Sequence, residues 1–408
     1  MQHVEEAAHL RHVRSLLVRA PHVRLLHLDR IDERINAHLD GIAVAGEAGI
    51  EAALRALERP GAGEIFVASV RLLENADPNR LDNIIAVAEA VPAARAGLLS
   101  AFGWARTAKL HRITDDLLRS THAARREIGL AACAMHAIDP GQALVDGIRS
   151  DDECVRARAL RVAGHLGKQS LIDACLARIH DSNDLCAYRA AESALLLGDR
   201  GESIERLEEI AAQTSADNFL RRGALRVMLK AVASDRASAC VARLARSTGE
   251  VPLVIYAAGV AGDPCYVPWL ISQMDNDEFA RSAGAAFSMI TGADLADLRL
   301  DRSPSDVPAT APNDDPNVAN VDLGSDHDMP WPDATKVDAW WSANGQRFAS
   351  GARYFLGAPP SREACAEVLR SGFQPNRIAA AQYGSLIDPG TPLFDTSAPA
   401  WLQRNRLA

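Results

Sequence analysis

Aromatic residues are scarce in this sequence of 408 residues, at 5% of the chain, whereas hydrophobic residues make up 48%. Sheets are enriched in aromatic and β-branched residues, while the Ala, Leu and Arg that recur throughout this chain favour helix. A chain of this length exceeds one ordinary core, so it forms two or three domains or a repeat array. The composition therefore predicts an all-α protein with an ample buried interior.

Long apolar runs are also missing. No stretch of eighteen uncharged apolar residues occurs, so we expect no membrane span and no membrane partner. Glu5, Glu6, Arg11 and Arg14 interrupt the first twenty residues, which predict an amphipathic helix rather than a secretory signal. The seven cysteines are scattered and form no C-x-x-C pair, which favours a reducing compartment. We therefore expect a cytoplasmic protein whose cysteines are mostly small core residues.

The sequence lacks the motifs of common catalytic sites. No phosphate-binding loop, dinucleotide fingerprint, nucleophile elbow or H-E-x-x-H pair occurs. His9 and His12 lie one helical turn apart, but with no obvious third ligand they predict a solvated helix face. Residues 326–328 (Asp-His-Asp) lack the spaced carboxylates of a calcium loop and predict a solvated loop. We predict a protein without catalytic residues, cofactor or metal.

Lysine is rare, and the negative charge is concentrated in one segment. The net charge is −9, and ten Asp against Arg299 and Arg302 give residues 293–335 a balance of −8. The remaining residues carry −1, so no bulk field attracts nucleic acid or an anionic membrane. The only lysines are Lys109, Lys168, Lys230 and Lys336, few for phosphate contacts. Both observations argue against nucleic acid as a partner.

A repeat with a period of about 31 residues is the main feature of the sequence. Each unit has a helix of small and aliphatic residues, a glycine or short turn, and a second helix. Because such a pair cannot bury its apolar face alone, neighbouring pairs must stack. The pattern predicts a right-handed α-solenoid of HEAT-like helix pairs. The recurring segments are residues 35–43, 66–74, 97–105, 128–136, 159–167, 190–198, 224–232, 254–262 and 284–292.

The repeat pattern also gives the predicted domain boundaries. Residues 1–44 form an N-terminal helical cap and residues 45–292 the HEAT-like array. Residues 293–334, rich in Pro and Asp, form an acidic loop that is partly disordered. Residues 335–408 form a Trp-rich C-terminal helical capping module.

Arginine precedes or opens the first helix of several units, at Arg126, Arg158, Arg189 and Arg222. One interpretation is an anion-binding stripe. The other is a structural ladder in which each arginine pairs with aspartate of an adjacent repeat. We favour the ladder, because a half-buried arginine in a repeat array needs a carboxylate partner.

The last fifth of the chain carries four of the six tryptophans. These residues predict a module that seals the final repeat, because terminal repeats need atypical side chains. A second interpretation, compatible with the first, is an aromatic and arginine-rich contact surface for a protein partner. Its predicted residues are Trp340, Trp341, Arg347, Arg353 and Tyr354.

Segments at both ends of the chain resemble an uncharacterised family of bacterial HEAT-repeat proteins. They are residues 28–46 (LDRIDERINAHLDGIAVAG) with their continuation, MPWPDATKVDAWW, RFASGARYFLG and residues 374–399. Members of that family are encoded among type VI secretion genes. The resemblance implies a cytoplasmic accessory role near effector loading and supplies no catalytic or ligand-binding residue.

Three functions follow from these patterns. The leading hypothesis is a protein-binding scaffold or adaptor of type VI secretion, whose partner is an effector or its adaptor. The second is a nucleic-acid-binding, DNA glycosylase-like HEAT protein, against which the near-neutral helical body argues. The third is a HEAT-like lyase or chaperone, for which the sequence holds no residue signature.

Overall fold

The computed structural model is all-helical within the residues it describes. It describes every residue except Ala76, Thr214, Ala216, Thr248 and residues 304–328, and only the backbone of residues 107–109 and 247. Its 22 α-helices are α1 Gln2–Leu17, α2 Leu25–Val44, α3 Gly46–Arg55, α4 Ala62–Asn75, α5 Pro78–Ala90, α6 Arg95–Trp104, α7 Thr107–Leu118, α8 Ala123–His136, α9 Gln142–Ile148, α10 Glu153–His165, α11 Ile172–Leu176, α12 Asp184–Leu197, α13 Glu202–Ala212, α14 Asn218–Ala231, α15 Ser234–Ser247, α16 Val251–Ala261, α17 Val267–Gln273, α18 Ala280–Thr291, α19 Ala334–Asn344, α20 Arg362–Ser371, α21 Gln374–Ile387 and α22 Ala400–Leu407.

The helices fall into two compact units. Unit 1 comprises Met1–Asp199 with Ala366–Ala408, and unit 2 comprises Arg200–Cys365. In unit 1, α4, α6, α8, α10 and α12 pack on one another in chain order, and in unit 2 α14, α16 and α18 do the same. Each of the nine predicted segments begins in α2 or in one of these first helices, and six of them end one or two residues beyond the helix. The packing is solenoid-like, while the HEAT type of the pairs and their handedness stay predictions.

Side-chain caps determine where several helices begin. Asp152 accepts a hydrogen bond from the Val155 amide (2.9 Å) at the start of α10, and Asn183 caps α12. Asp263 caps the turn before α17, and Pro264 occupies the first position of that turn. The equivalent Asp139 instead accepts from the Gly141 amide (3.0 Å), and α9 begins only after this glycine.

The predicted capping module, residues 335–408, does not stay together. Residues up to Cys365 group with unit 2, where α19 packs on α17. Ala366–Ala408 group with unit 1, where α21 packs on α12 and α22 packs on α2. The anchor in unit 1 is polar. Arg377, which is fully buried, donates to Leu369 O (2.8 Å), to Gln374 Oε1 and to Gln403 Oε1 (2.5 Å).

Each unit has a short stretch of chain that crosses the C-terminal ends of its first helices. In unit 1 this is crossing segment 1, residues 388–393, where Leu393 N donates to His165 O (2.9 Å) at the end of α10. In unit 2 it is crossing segment 2, residues 351–357, where Tyr354 N donates to Gly262 O (2.8 Å) and Gly357 N to Ile290 O (3.0 Å). The crossing segments satisfy carbonyl groups that helix ends leave open.

Glycines at the helix ends make room for the crossing segments. A Cβ on Gly167 would overlap Gly390 O, and one on Gly262 would overlap Tyr354 O. A Cβ on Gly292 would lie 2.5 Å from Leu356 O. All three helix-end glycines have positive φ, as their predicted role as caps requires. They therefore serve two purposes, helix termination and close approach of a second backbone.

The described flanks of the predicted acidic loop are packed and paired. Leu295 and Leu300 are buried in the unit 2 core. Asp333 N donates to Leu300 O (2.8 Å), and Arg302 N donates to Trp331 O (2.8 Å). The predicted disorder, and the Asp-His-Asp segment at 326–328, lie outside the described residues.

Candidate functional site

The predicted contact residues of unit 2 form an aromatic surface around α19. We define the aromatic surface as Trp340, Trp341, Arg347, Phe348 and Tyr354. The Trp341 and Phe348 ring centroids lie 5.5 Å apart, and Phe348 meets Tyr354 edge-on at 5.1 Å. The guanidinium of Arg347 lies 5.9 Å from the Trp340 ring and 5.7 Å from Phe348. Stacking of this kind holds a guanidinium while leaving its donors open to a partner.

Both tryptophans are half-buried and pack against the unit 2 core. Trp340 meets the fully buried Phe287 edge-on, with centroids 5.6 Å apart. A Cβ on Gly345 would lie 2.9 Å from the Trp341 indole, so this glycine lets the ring lie against the backbone. Arg347 is exposed and is thus the member most available to a partner.

Arg353 does not belong to this surface, contrary to the predicted contact set. Its guanidinium donates to Leu229 O (2.6 Å), Lys230 O (2.9 Å) and Val232 O (2.7 Å) at the end of α14, and to Ala261 O (3.2 Å). These carbonyls lie at helix ends, where a cation is also favoured by the helix dipole. Arg353 is a structural clamp that holds crossing segment 2.

The predicted arginine ladder exists in a modified form. Arg158 donates to Glu127 of the preceding repeat (2.9 Å), and Arg95 pairs with the same carboxylate. Arg189 pairs with Glu192 within its own helix (2.6 Å). The partners are therefore glutamates of the first helices rather than the aspartates of the turns.

Two predicted ladder residues have other positions. Arg222 stacks on the Tyr256 ring at 4.4 Å. Within the described residues Arg126 makes no ion pair or side-chain hydrogen bond, and its Nε is buried without a partner. A single expected role for all four arginines is therefore wrong, because they do not occupy one equivalent helix position.

The sequence interpretation missed two pairs that do join neighbouring repeats through turn acids. Arg156 donates to Asp181 (2.7 and 3.0 Å), and Arg221 donates to Glu250 (3.0 and 2.9 Å). Both arginines are buried. The repeat spacing gave no signal for these pairs, because Arg125, one repeat of 31 residues before Arg156, pairs instead with Asp82 on α5.

A half-buried polar cluster lies beside the ladder on α10. Arg161 Nε lies 3.4 Å from His165 Nε2, and both follow Arg158 at helical spacing. Burial, reinforced by the charges of Arg189 and Arg158, lowers the pKa of Arg161 to about 10. Burial and the Arg161 charge lower the pKa of His165 to about 3, so this imidazole is neutral at physiological pH. The positive charge of the cluster therefore resides on its arginines, next to crossing segment 1.

A cleft of about 500 Å³ opens in unit 1 among α7, α8, α9 and α10. Its walls combine aliphatic side chains (Leu118, Leu130, Val155) with charged ones, among them Arg119 and Arg126. The unpaired Arg126 faces this cleft.

Metal chemistry has no obvious centre among the described residues, which bring together no group of three His, Cys, Asp or Glu side chains suited to a metal. His3 and His38 approach each other at 2.9 Å between their Nδ1 atoms. The seven cysteines are free thiols, and five of them are buried, as core residues should be. No helix in the described part of the chain combines the length and apolarity of a membrane span.

Comparison with known proteins gave no match, whether to a family model, a curated protein or a solved structure. The resemblance of the two chain ends to HEAT-repeat proteins of type VI secretion therefore stays a prediction.

Proposed function

We propose that this protein is a non-catalytic scaffold that binds a protein partner through the aromatic surface of unit 2. The observation that carries the proposal is the stacked group in which the exposed Arg347 lies against Trp340 and Phe348. Aromatic residues and arginine supply most of the binding energy at protein interfaces. Because their packing within unit 2 already fixes these rings, little conformational entropy is lost on binding.

The geometry favours a partner with an acidic side chain next to apolar ones. A carboxylate would accept hydrogen bonds from the Arg347 guanidinium, which is planar and suited to two parallel bonds. The half-buried indole of Trp341 would cover an apolar side chain beside it. The HEAT-like type of the helix pairs and a role in effector loading for type VI secretion are the more specific form of the proposal, and the end motifs support them.

Site-specific photocrosslinking in the native cell tests the proposal. A photoreactive residue at Gln346, which is exposed beside Arg347, should capture a partner protein. The same residue at Arg246, exposed on α15 of unit 2, is the matched control and should capture none. Trp341→Ala and Arg347→Met should each reduce the Gln346 adduct at least tenfold, because each removes an interface anchor.

Equal adducts at both positions, or an adduct that survives both substitutions, would refute the aromatic surface as the contact site. Identification of the captured protein by mass spectrometry decides the narrower role. A secretion effector or its adaptor supports the type VI assignment, and any other protein overturns it while leaving the scaffold function intact.

A further inference from the structure

The cleft of unit 1 holds a guanidinium that the fold does not use. Arg126 Nε is buried and has no hydrogen-bond partner, and the whole guanidinium is without an ion pair among the described residues. This contrasts with Arg125, which pairs with Asp82 (2.9 Å), and with Arg156, which pairs with Asp181. A buried donor without a partner costs free energy, so a group that persists in this condition calls for an explanation.

The charges around the cleft leave its cations more available than its anions. Asp146 accepts a hydrogen bond from Gln142 (2.8 Å), and Asp115 lies 3.3 Å from His111. Arg119, exposed at the edge, makes no ion pair within the described residues. The cleft is thus lined by two guanidinium groups without an ion pair, Arg119 and Arg126, and by two carboxylates that each have a neighbouring side chain as partner. An incoming carboxylate would find open donors, while a phosphate dianion would add a second charge facing both aspartates.

The remaining wall of the cleft is aliphatic. Leu118, Leu130 and Val155 line it from three different helices, and the volume of about 500 Å³ lies within the range of small-ligand sites. Leu130 and Val155 are buried, so they form a floor. A ligand with an aliphatic group close to one carboxylate matches both halves of the cleft.

We propose that this cleft binds the C-terminal residue of a peptide, with its carboxylate on Arg126 and Arg119 and its aliphatic side chain on Leu118, Leu130 and Val155. The inference rests on the proposed scaffold function and gives it a second contact, in a different unit from the aromatic surface. Capture of a terminal carboxylate is a recurrent mode of peptide recognition. It makes the scaffold selective for a free chain end.

Fluorescence polarisation with the full-length protein tests the site. The probe is a labelled tetrapeptide, Ser-Gly-Ala-Leu, with a free C-terminal carboxylate, and the comparison probe is its C-terminal amide. The carboxylate peptide should bind at least tenfold more tightly, because only it offers a charged acceptor to the open guanidinium. Arg126→Met, which keeps the aliphatic stem and removes the charge, should lose this preference, and Arg119→Met should reduce it.

Arg112→Met is the matched control. Arg112 is exposed on α7, the helix that Arg119 directly follows, but it does not line the cleft. This variant should bind both peptides like the wild type. Thermal melting of each variant confirms folding. No binding at millimolar peptide, equal binding of acid and amide, or unchanged preference in both Arg126→Met and Arg119→Met would overturn the proposal.

Competition by decanoate distinguishes the source of the carboxylate. Displacement by an unlabelled peptide but not by decanoate supports a protein chain end. Displacement by decanoate but not by the unlabelled peptide would identify the ligand as a fatty acid and overturn the peptide assignment. Photocrosslinking at Gln346 is independent of these outcomes, so failure of the cleft and failure of the aromatic surface are distinguishable.

Discussion

Both units use a crossing segment against glycine-terminated helices, but they obtain it from different distances along the chain. In unit 1 the contact between Gln169 and Pro389 spans 220 residues, and that between Arg14 and Ser397 spans 383. In unit 2 the longest-range contact of Arg353, to Leu229 O, spans 124 residues. Contacts between distant residues cost more loop entropy and form later. Unit 1 therefore forms completely only with residues 366–408 in place.

The C-terminal part of unit 1 and crossing segment 2 of unit 2 also differ in what anchors them. The C-terminal part of unit 1 is anchored by Arg377, Gln374 and Gln403, all fully buried. Crossing segment 2 is anchored by the half-buried Arg353, whose acceptors are backbone carbonyls. Groups without access to water lose more when a partner is removed. The anchor of unit 1 is thus more sensitive to substitution than the anchor of unit 2.

The largest predicted effect is that of Arg377→Met. It leaves Leu369 O, Gln374 Oε1 and Gln403 Oε1 without their donor, at about 1–3 kcal/mol each, so we expect a loss of about 4 kcal/mol. Burial lowers the pKa of Arg377 to about 10, and relief of that desolvation offsets part of the loss. Hydrogen exchange of peptides from 1–199 measures the effect.

Arg353→Met is the counterpart in unit 2, where we expect about 2 kcal/mol, measured on peptides from 200–365. Arg404→Met, which removes only an exposed pair with Asp29, should cost less than 1 kcal/mol. An Arg353→Met loss as large as that of Arg377→Met would contradict the proposed difference between the units.

Alanine at the helix-end glycines tests whether both units need these glycines to make room for the crossing segments. Gly167→Ala in unit 1 and Gly262→Ala in unit 2 should each cost about 3 kcal/mol in unfolding free energy. About 1 kcal/mol arises from positive φ, and the rest from the overlap with the crossing backbone. Gly46→Ala and Gly249→Ala are the controls, because their φ is also positive but no atom lies within 4 Å of the added Cβ. If controls and test variants melt alike, the glycines act only as caps.

A further predicted effect is the pH dependence of unit 1 through His165. Its folded pKa of about 3 lies below the value of 6.5 expected in the unfolded chain, so its contribution is present above pH 6.5 and lost as pH falls. Between pH 7.5 and 5.0 the loss is about 2 kcal/mol. Urea denaturation at both pH values, on the wild type and His165→Gln, measures it. The variant should lose less stability on acidification, and an equal loss in both proteins would exclude His165 as the source.

The helices could be read from the sequence because their signals are local. Gly167, Gly198 and Gly262, which close three of the repeated segments, lie at helix ends with positive φ. Four of five predicted aromatic-surface residues lie together, because they are close in the chain. Arg353 was misassigned since its acceptors, Leu229 to Val232, are more than a hundred residues away.

By itself the sequence determined the all-helical class, the places of the nine repeated segments and the glycines that end α10, α12, α16 and α18, because apolar spacing and backbone freedom act within a few residues. Only the tertiary structure decided that residues 366–408 join unit 1, that Arg377 is buried and that Arg126 is left without a partner. Charged side chains are long and meet partners distant in sequence, so their roles depend on which helices the fold brings together. For this reason the binding residues, unlike the helices, follow from tertiary packing.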